Sequence, residues 1–271
     1  MNIPHGKGAV HLGPGASGSR LLTPNFPAQD TPPEELLFKS LSQPVESPLL
    51  SSMAGPGKKI LVLLPDLSRE AGIPSILPAL CRYLADSGAH PRHITFLIAL
   101  GIHRKMSREE IFRTYGPEIQ NYRCLNHEAS APGSLATLGT TSFGTPVSLN
   151  RLAVEADLVI PVGKTAFHYN AGAGGGRKML LPGIASREAC MANHKLVLTG
   201  KPYPEEWRDP RCAPGCLDSN PVHEDMKEFV EKLPAPVYNI SILTNLRHKI
   251  ADIASGDIFA SHHRSVETLK Q

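Results

Sequence analysis

His103, His168, Lys178 and His194 have types suited to proton transfer, nucleophilic attack or metal binding, each in a local run that invites one of these. An imidazole titrates near neutral pH, so His103, in Gly101-Ile102-His103-Arg104, could take a hydroxyl proton from a bound substrate. It could equally be a loop histidine bonded to backbone. His168 precedes a glycine-rich run containing Gly174, Gly175 and Gly176, followed by Arg177 and Lys178. Glycine lets backbone N–H groups close on a phosphate, and the two cations add charge. A phosphate cradle and a plain flexible loop therefore both remain open. Met179 after the lysine breaks the P-loop pattern, and no strand leads directly into the glycines as a dinucleotide fingerprint requires.

Lys178 enters the apolar run Met179-Leu180-Leu181, where partial desolvation would make its amine a better nucleophile. A phosphate contact or a solvated side chain is the alternative. His194, expected at a helix end, reads as a dipole-stabilised cap or as a metal ligand. Asp66 and Arg69 stand three apart. The arginine fork suits a substrate carboxylate, and an Asp–Arg pair fixing the loop is the plainer reading. Cys212 and Cys216 could hold a metal with His223, but no second cysteine pair completes a zinc-ribbon spacing.

The elements that must position these residues follow from apolar spacing. Residues 59–65 and 93–100 read as short buried strands, with a helix over 74–87 between them. A helix over 108–115 opens on Ser107, with Glu110 completing a capping box. Strands are expected over 145–149 and 158–162, a helical stretch over 150–155, and a loop over 165–176. Helices follow over 188–194, 224–232 and 259–269, and two closing strands over 237–243 and 249–253. The alternation predicts an α/β fold, a mainly parallel sheet flanked by helices in a single Rossmann-like domain. Residues 1–57 read as an irregular leader packed on that domain, with a helix over 33–41 capped by Thr31. Ligands in such sheets bind beyond the carboxyl ends of the strands. That rule selects Asp66, Arg69, His103, Lys164 and His168.

Composition removes several classes of function. The longest apolar stretch, 60–65, falls far below the ~18 residues that span a bilayer, so no membrane role is expected. The N-terminus shows no secretion signal, which makes the cytoplasm the expected location. A net charge of +3 without a basic stripe points away from nucleic acid. Five cysteines, an odd count, do not form a disulfide framework. A zinc hydrolase is disfavoured because no acidic general base accompanies the histidines at usable spacing.

These motifs together resemble the N-terminal domain of the nickel-dependent lactate racemase family. The resemblance rests on D-x-x-R at Asp66–Arg69, G-I-H-R around His103, F-H-x-x-A-G-x-G-G-G-R-K from Phe167 to Lys178, L-P-G at 181–183 and N-H at Asn193-His194. The opening at 3–8, the segment 44–49 and Ala254-Ser255-Gly256-Asp257 fit as well. It implies a 2-hydroxy-acid racemase or epimerase acting on lactate or a sugar acid, and a nickel pincer nucleotide as cofactor. Lys178 would tether the nucleotide as a thioamide, and His194 would coordinate nickel. His103 and His168 would be opposed bases in a hydride-transfer mechanism. Asp66 and the glycines 174–176 would help hold the cofactor, and Arg69 the substrate. Cofactor-synthesis proteins become expected partners.

The sequence departs from the family at Glu70, where proline is common, which implies a local turn change. Family members also carry a second domain, and this chain reaches Gln271 about where that domain is expected to begin. A fragment, one half of a split enzyme, or a partner for a separate C-terminal-domain chain are the expectations this raises. The alternative function is a non-catalytic module that binds the nickel nucleotide or another phosphate ligand for a partner chain.

Overall fold

The computed structural model describes residues 2–5, 8–11, 31–69, 71–204, 206–245 and 248–271. The expectation at Glu70, and the parts of the leader at Gly6, Lys7 and 12–30, lie outside the described residues. The strands are β1 (Asn2–His5), β2 (Gly8–His11), β3 (Ile60–Pro65), β4 (Ile94–Ala99), β5 (Arg123–Asn126), β6 (Leu135–Thr140), β7 (Pro146–Asn150), β8 (Leu158–Lys164), β9 (Phe167–His168), β10 (Gly172–Ala173), β11 (Tyr238–Thr244) and β12 (Ile250–Asp257). The helices are α1 (Pro33–Ser42), α2 (Leu50–Met53), α3 (Leu77–Asp86), α4 (Arg108–Tyr115), α5 (Arg151–Glu155), α6 (Arg187–Lys195), α7 (Pro221–Glu231) and α8 (Ile258–Lys270).

One sheet organises the chain, in the order β12-β11-β8-β3-β4-β5. Its strands are parallel except β12, which runs antiparallel to β11. The chain lays β4 and β5 on one side of β3, then returns to lay β8 and β11 on the other. The order therefore reverses between β3 and β8, where a crevice opens beyond the strand ends.

Every residue of β3 is buried, because the sheet is covered on both faces. Side chains alternate along a strand. Ile60, Val62 and Leu64 pack with Leu80 and Leu84 of α3 and Leu37 of α1. Leu61 and Leu63 pack on the other face with Leu181, Ala189 of α6 and Phe229 of α7. Each such side chain contributes about 1.5–3 kcal/mol when fully buried. Among the described residues no helix is long and apolar enough to cross a membrane.

Several expected boundaries change. The helix expected over 74–87 divides into a 3-10 turn, Ile73–Ser75, and α3. Pro78 sits in the first turn of α3, where its missing N–H is tolerated. Pro32, not Thr31, occupies the cap position of α1, and no side chain caps that helix. The capping box of Ser107 and Glu110 forms as expected. The strand expected over 145–149 pairs with β6 outside the main sheet. Strands β5 and β6 have no strong apolar signature, since the first is a partly exposed edge and the second largely solvent-facing.

The leader packs on the core through residues 36–54. Leu36, Leu37 and Leu41 of α1 are buried. The Val45 N–H donates to the Ser255 carbonyl at 2.8 Å, and the Asp257 N–H to the Val45 carbonyl at 2.9 Å. Gly256 sits between them at φ +130°, and a Cβ there would lie 2.3 Å from the Val45 oxygen. Gly256→Ala is therefore expected to lower stability by about 3 kcal/mol, from backbone strain and the clash together. Urea unfolding should show an earlier midpoint with unchanged slope. An unchanged midpoint would show that this docking is not required.

Candidate active site

The crevice at the strand-order reversal is a cavity of about 550 Å³. The end of β3 brings Asp66 and Arg69 to it, and the end of β4 brings His103. The end of β8 brings Lys164, the β9–β10 hairpin His168, the 3-10 turn Gly176–Met179 Lys178, and α6 His194. Gly174 and Gly175 also line it. Gly176 does not line the cavity, because a Cβ on it would meet the His262 ring at 2.9 Å on the far side of the loop.

Asp66 holds His103. Its Oδ2 lies 2.5 Å from His103 Nδ1, while its Oδ1 accepts from the Ser68 N–H at 2.7 Å and the Ser68 hydroxyl at 2.5 Å. Burial pushes the Asp66 carboxyl up, but the bonds from Ser68 and His103 outweigh it, and its pKa lies below the usual carboxylate value. A carboxylate accepts, so His103 Nδ1 donates, and in the neutral ring Nε2 keeps its lone pair. Both carboxylate oxygens of Asp66 thus have partners within the protein. No ion pair joins Asp66 to Arg69 among the described residues. The loop of His103 is seated by the Gly101 N–H, which donates to the Gly183 carbonyl of the L-P-G segment at 2.8 Å.

His168 has the opposite tautomer. The backbone N–H groups of Asn170 and Ala171 both donate to its Nδ1, at 3.1 and 3.2 Å. Nδ1 must accept, so in the neutral ring Nε2 carries the proton. Nε2 lies 3.1 Å from Lys178 Nζ. Burial, with the neighbouring charges of Lys178 and Arg69, holds the His168 pKa down at about 3. Burial, then Arg177 and Arg69, lowers the Lys178 amine to about 7. Tyr169 stacks on the His168 ring at 4.6 Å.

His194 is fixed by its own helix. Its Nδ1 lies 2.5 Å from the Cys190 carbonyl, one turn earlier, so Nδ1 donates and Nε2 is left with a lone pair. Cys190 and His194 share the face of α6 that lines the cavity. Among the described residues no three or more His, Cys, Asp and Glu side chains form a metal-binding group. Cys212 does not converge with Cys216 either, since its buried thiol points to Asn220 while Cys216 is exposed.

The glycine loop is braced from behind. The Gly174 N–H donates to the Ala166 carbonyl at 2.7 Å, so that amide is engaged within the protein. Arg177, expected to supply charge to a ligand, is fully buried and does not line the cavity. Its Nη2 donates to the Ala171 carbonyl at 2.7 Å, and burial pulls its pKa down to about 9. His262 Nε2 donates to the Gly174 carbonyl at 2.8 Å. Arg177 Nη1 packs against that ring, 2.8 Å from Nε2 and 3.4 Å from Nδ1. Ser68 has a local signal, an Asp two residues earlier as in an Asx turn. His262 has none, because it arrives from a helix distant in sequence.

Among the described residues the cavity wall combines Arg69, Lys164 and Lys178 with four histidines and one carboxylate, Asp66. It suits an anionic ligand. The lactate racemase N-terminal domain family matches residues 5–204. The sequence is 31% identical over 239 residues to the lactate racemase of Lactiplantibacillus plantarum, and 28% identical over 239 residues to that of Thermoanaerobacterium thermosaccharolyticum. Each match covers 88% of this chain and 54% of the relative. The chain spans about half the length of the curated relatives it matches. The fold is similar to the lactate racemase apoprotein from Thermoanaerobacterium thermosaccharolyticum, with a TM-score of 0.86 and 27% identity over 99% of this chain and 61% of that one. A protein from Thermotoga maritima shares the fold at a TM-score of 0.66 and 24% identity, over 88% of this chain and 59% of that one.

Proposed function

Because the chain belongs to the lactate racemase family through the N-terminal domain of that family, we propose that its cavity holds a nickel pincer nucleotide and interconverts the enantiomers of a 2-hydroxy acid. The observation that supports this reading is the meeting of Lys178, His194, His103, His168 and Arg69 in one cavity.

The donor set fits the group. Lys178 has an amine held near neutrality, the form that attacks an activated carbonyl or thiocarbonyl carbon, and would tether the nucleotide as a thioamide. His194 Nε2 would ligate nickel. The remaining donors would be the soft sulfur arms of the nucleotide, which with imidazole suit nickel. Gly174 and Gly175 let backbone approach the ligand closely. When bound, the group would supply a hydride acceptor for the Cα position of the substrate.

The chain does the rest. Arg69 takes the substrate carboxylate through its fork. His103 Nε2 takes the hydroxyl proton, with Asp66 steadying the imidazolium that forms. For the other enantiomer His168 would present its Nε2–H to the substrate oxygen, since the Asn170 and Ala171 amides engage its Nδ1. Acylation of Lys178 would remove one of the charges that depress its pKa.

Protein co-expressed with cofactor-making enzymes should carry a mass adduct on the peptide containing Lys178, and the loaded chain should convert L-lactate to D-lactate. An adduct that survives Lys178→Ala would sink the tether. Loading without turnover would favour a binding module completed by the length the relatives have beyond this match, or by a separate chain.

A further inference from the structure

The bond between His168 and Lys178 has a direction. With two backbone amides donating to Nδ1, the neutral His168 ring has one proton, on Nε2. A protonated Lys178 would confront that N–H with three more donors. The 3.1 Å contact is a hydrogen bond only if Nζ is an uncharged amine accepting through its lone pair. Arg69 lines the same cavity and lies close enough to act on both groups electrostatically. The cavity therefore presents, side by side, a neutral amine, an N–H donor and a carboxylate-binding cation. A 2-oxo acid has the matching parts, an electrophilic carbonyl carbon, a carbonyl oxygen and a carboxylate.

We propose that, whenever its amine is not capped by the nucleotide, Lys178 condenses reversibly with 2-oxo acids to form an imine, with His168 as hydrogen-bond donor to the carbonyl oxygen and Arg69 as carboxylate clamp. The Nζ lone pair forms the new N–C bond, and the carbonyl π pair moves to oxygen. The nitrogen gives up both its protons over the two steps, the oxygen gains two, and water leaves, so no oxidant or reductant is consumed. His168 turns its Nε2–H from the amine to the carbonyl oxygen as attack begins. The pinned Nδ1 keeps the ring in the donor tautomer throughout. The low pKa of Lys178, about 7, keeps much of the amine reactive at neutral pH. This chemistry requires no nickel and goes beyond the racemase reading. Its consequence for that reading is competition, because an imine at Lys178 delays nucleotide attachment.

The test uses the full chain made in cells without the cofactor-making enzymes. It is incubated at pH 7 with pyruvate or glyoxylate and cyanoborohydride, then analysed by intact mass and peptide mapping. One reduced adduct is expected, on Lys178, formed at least a hundredfold faster than on the exposed Lys58 and Lys232, which lack the cavity's N–H donor and carboxylate clamp. Lys178→Arg should abolish that adduct with an unchanged circular dichroism spectrum. His168→Ala should slow it at least tenfold, and His168→Gln, which keeps an N–H donor, should recover part of the rate. Labelling spread over surface lysines, no labelling, or equal labelling of Lys178→Arg would overturn the proposal. An absent imine beside a present nucleotide adduct would leave the tether intact, so the two readings fail separately.

Discussion

If the chain is the racemase proposed above, Asp66→Asn is expected to lower lactate racemisation by the cofactor-loaded protein about 10²–10⁴-fold, the range for a correctly placed general base, while leaving cofactor loading unchanged. Asparagine has nearly the shape of aspartate and can still accept from the Ser68 N–H. What it loses is the charge facing His103 Nδ1 at 2.5 Å. It can present an NH₂ there, which favours the tautomer with Nδ1 bare and Nε2 protonated, a ring that cannot accept a hydroxyl proton from the cavity. It also removes the counter-charge for the imidazolium. His103→Ala should match it in rate, and the double variant should be little worse than either single, because the two residues act as one unit. Racemisation is read by chiral analysis of lactate, and loading by intact mass. Turnover within threefold of the unaltered protein for Asp66→Asn would remove the dyad from the mechanism. Loss of loading would instead return Asp66 to a cofactor-binding role.

Acidification is expected to unfold the protein well above the carboxylate range. His127, His223 and His262 are buried. Burial holds all three neutral in the fold, His223 down to about 3, aided by the charge of Arg177. In the unfolded chain each titrates near ~6.5. Below that pH the unfolded chain binds protons that the folded chain refuses, so the contribution of His223 is complete above pH ~6.5 and is lost as pH falls toward 3, and those of His127 and His262 fall in the same direction. Three such groups give a slope of at most ~4 kcal/mol per pH unit, which would exhaust a typical stability of ~5–15 kcal/mol within a few units. The urea midpoint should fall steeply between pH 7 and 5, and His223→Gln should flatten the slope by up to about a third. A midpoint constant over that interval would contradict the burial of these rings as neutral groups. Because His262 also braces the Gly174 carbonyl, the glycine loop should loosen first, with activity lost before the fold.

The parallel sheet was legible in the sequence because runs such as Ile60–Pro65 are apolar on both faces, and only a doubly covered strand buries both. The helices around it were legible from apolar spacing and caps, Ser107 with Glu110 most clearly. Strands β5 and β6 were not, because an edge strand and a solvent-facing hairpin need no apolar signature. The site was legible to the extent that strand ends select residues. Asp66, Arg69, His103 and His168 follow strands, and all four line the cavity.

The sequence by itself selected Asp66, Arg69, His103 and His168 for the cavity, since residue type and strand-end position are both local properties. The tertiary structure alone decided their protonation. It turned His103 into an acceptor by setting Asp66 against Nδ1, and His168 into a donor by aiming two backbone amides at its Nδ1. It lowered Lys178 by burying it beside cations, and withdrew Arg177 and Gly176 from the cavity to pack against His262. Tautomer and charge depend on which groups meet across the fold and how much water remains between them, and no spacing along the chain encodes either.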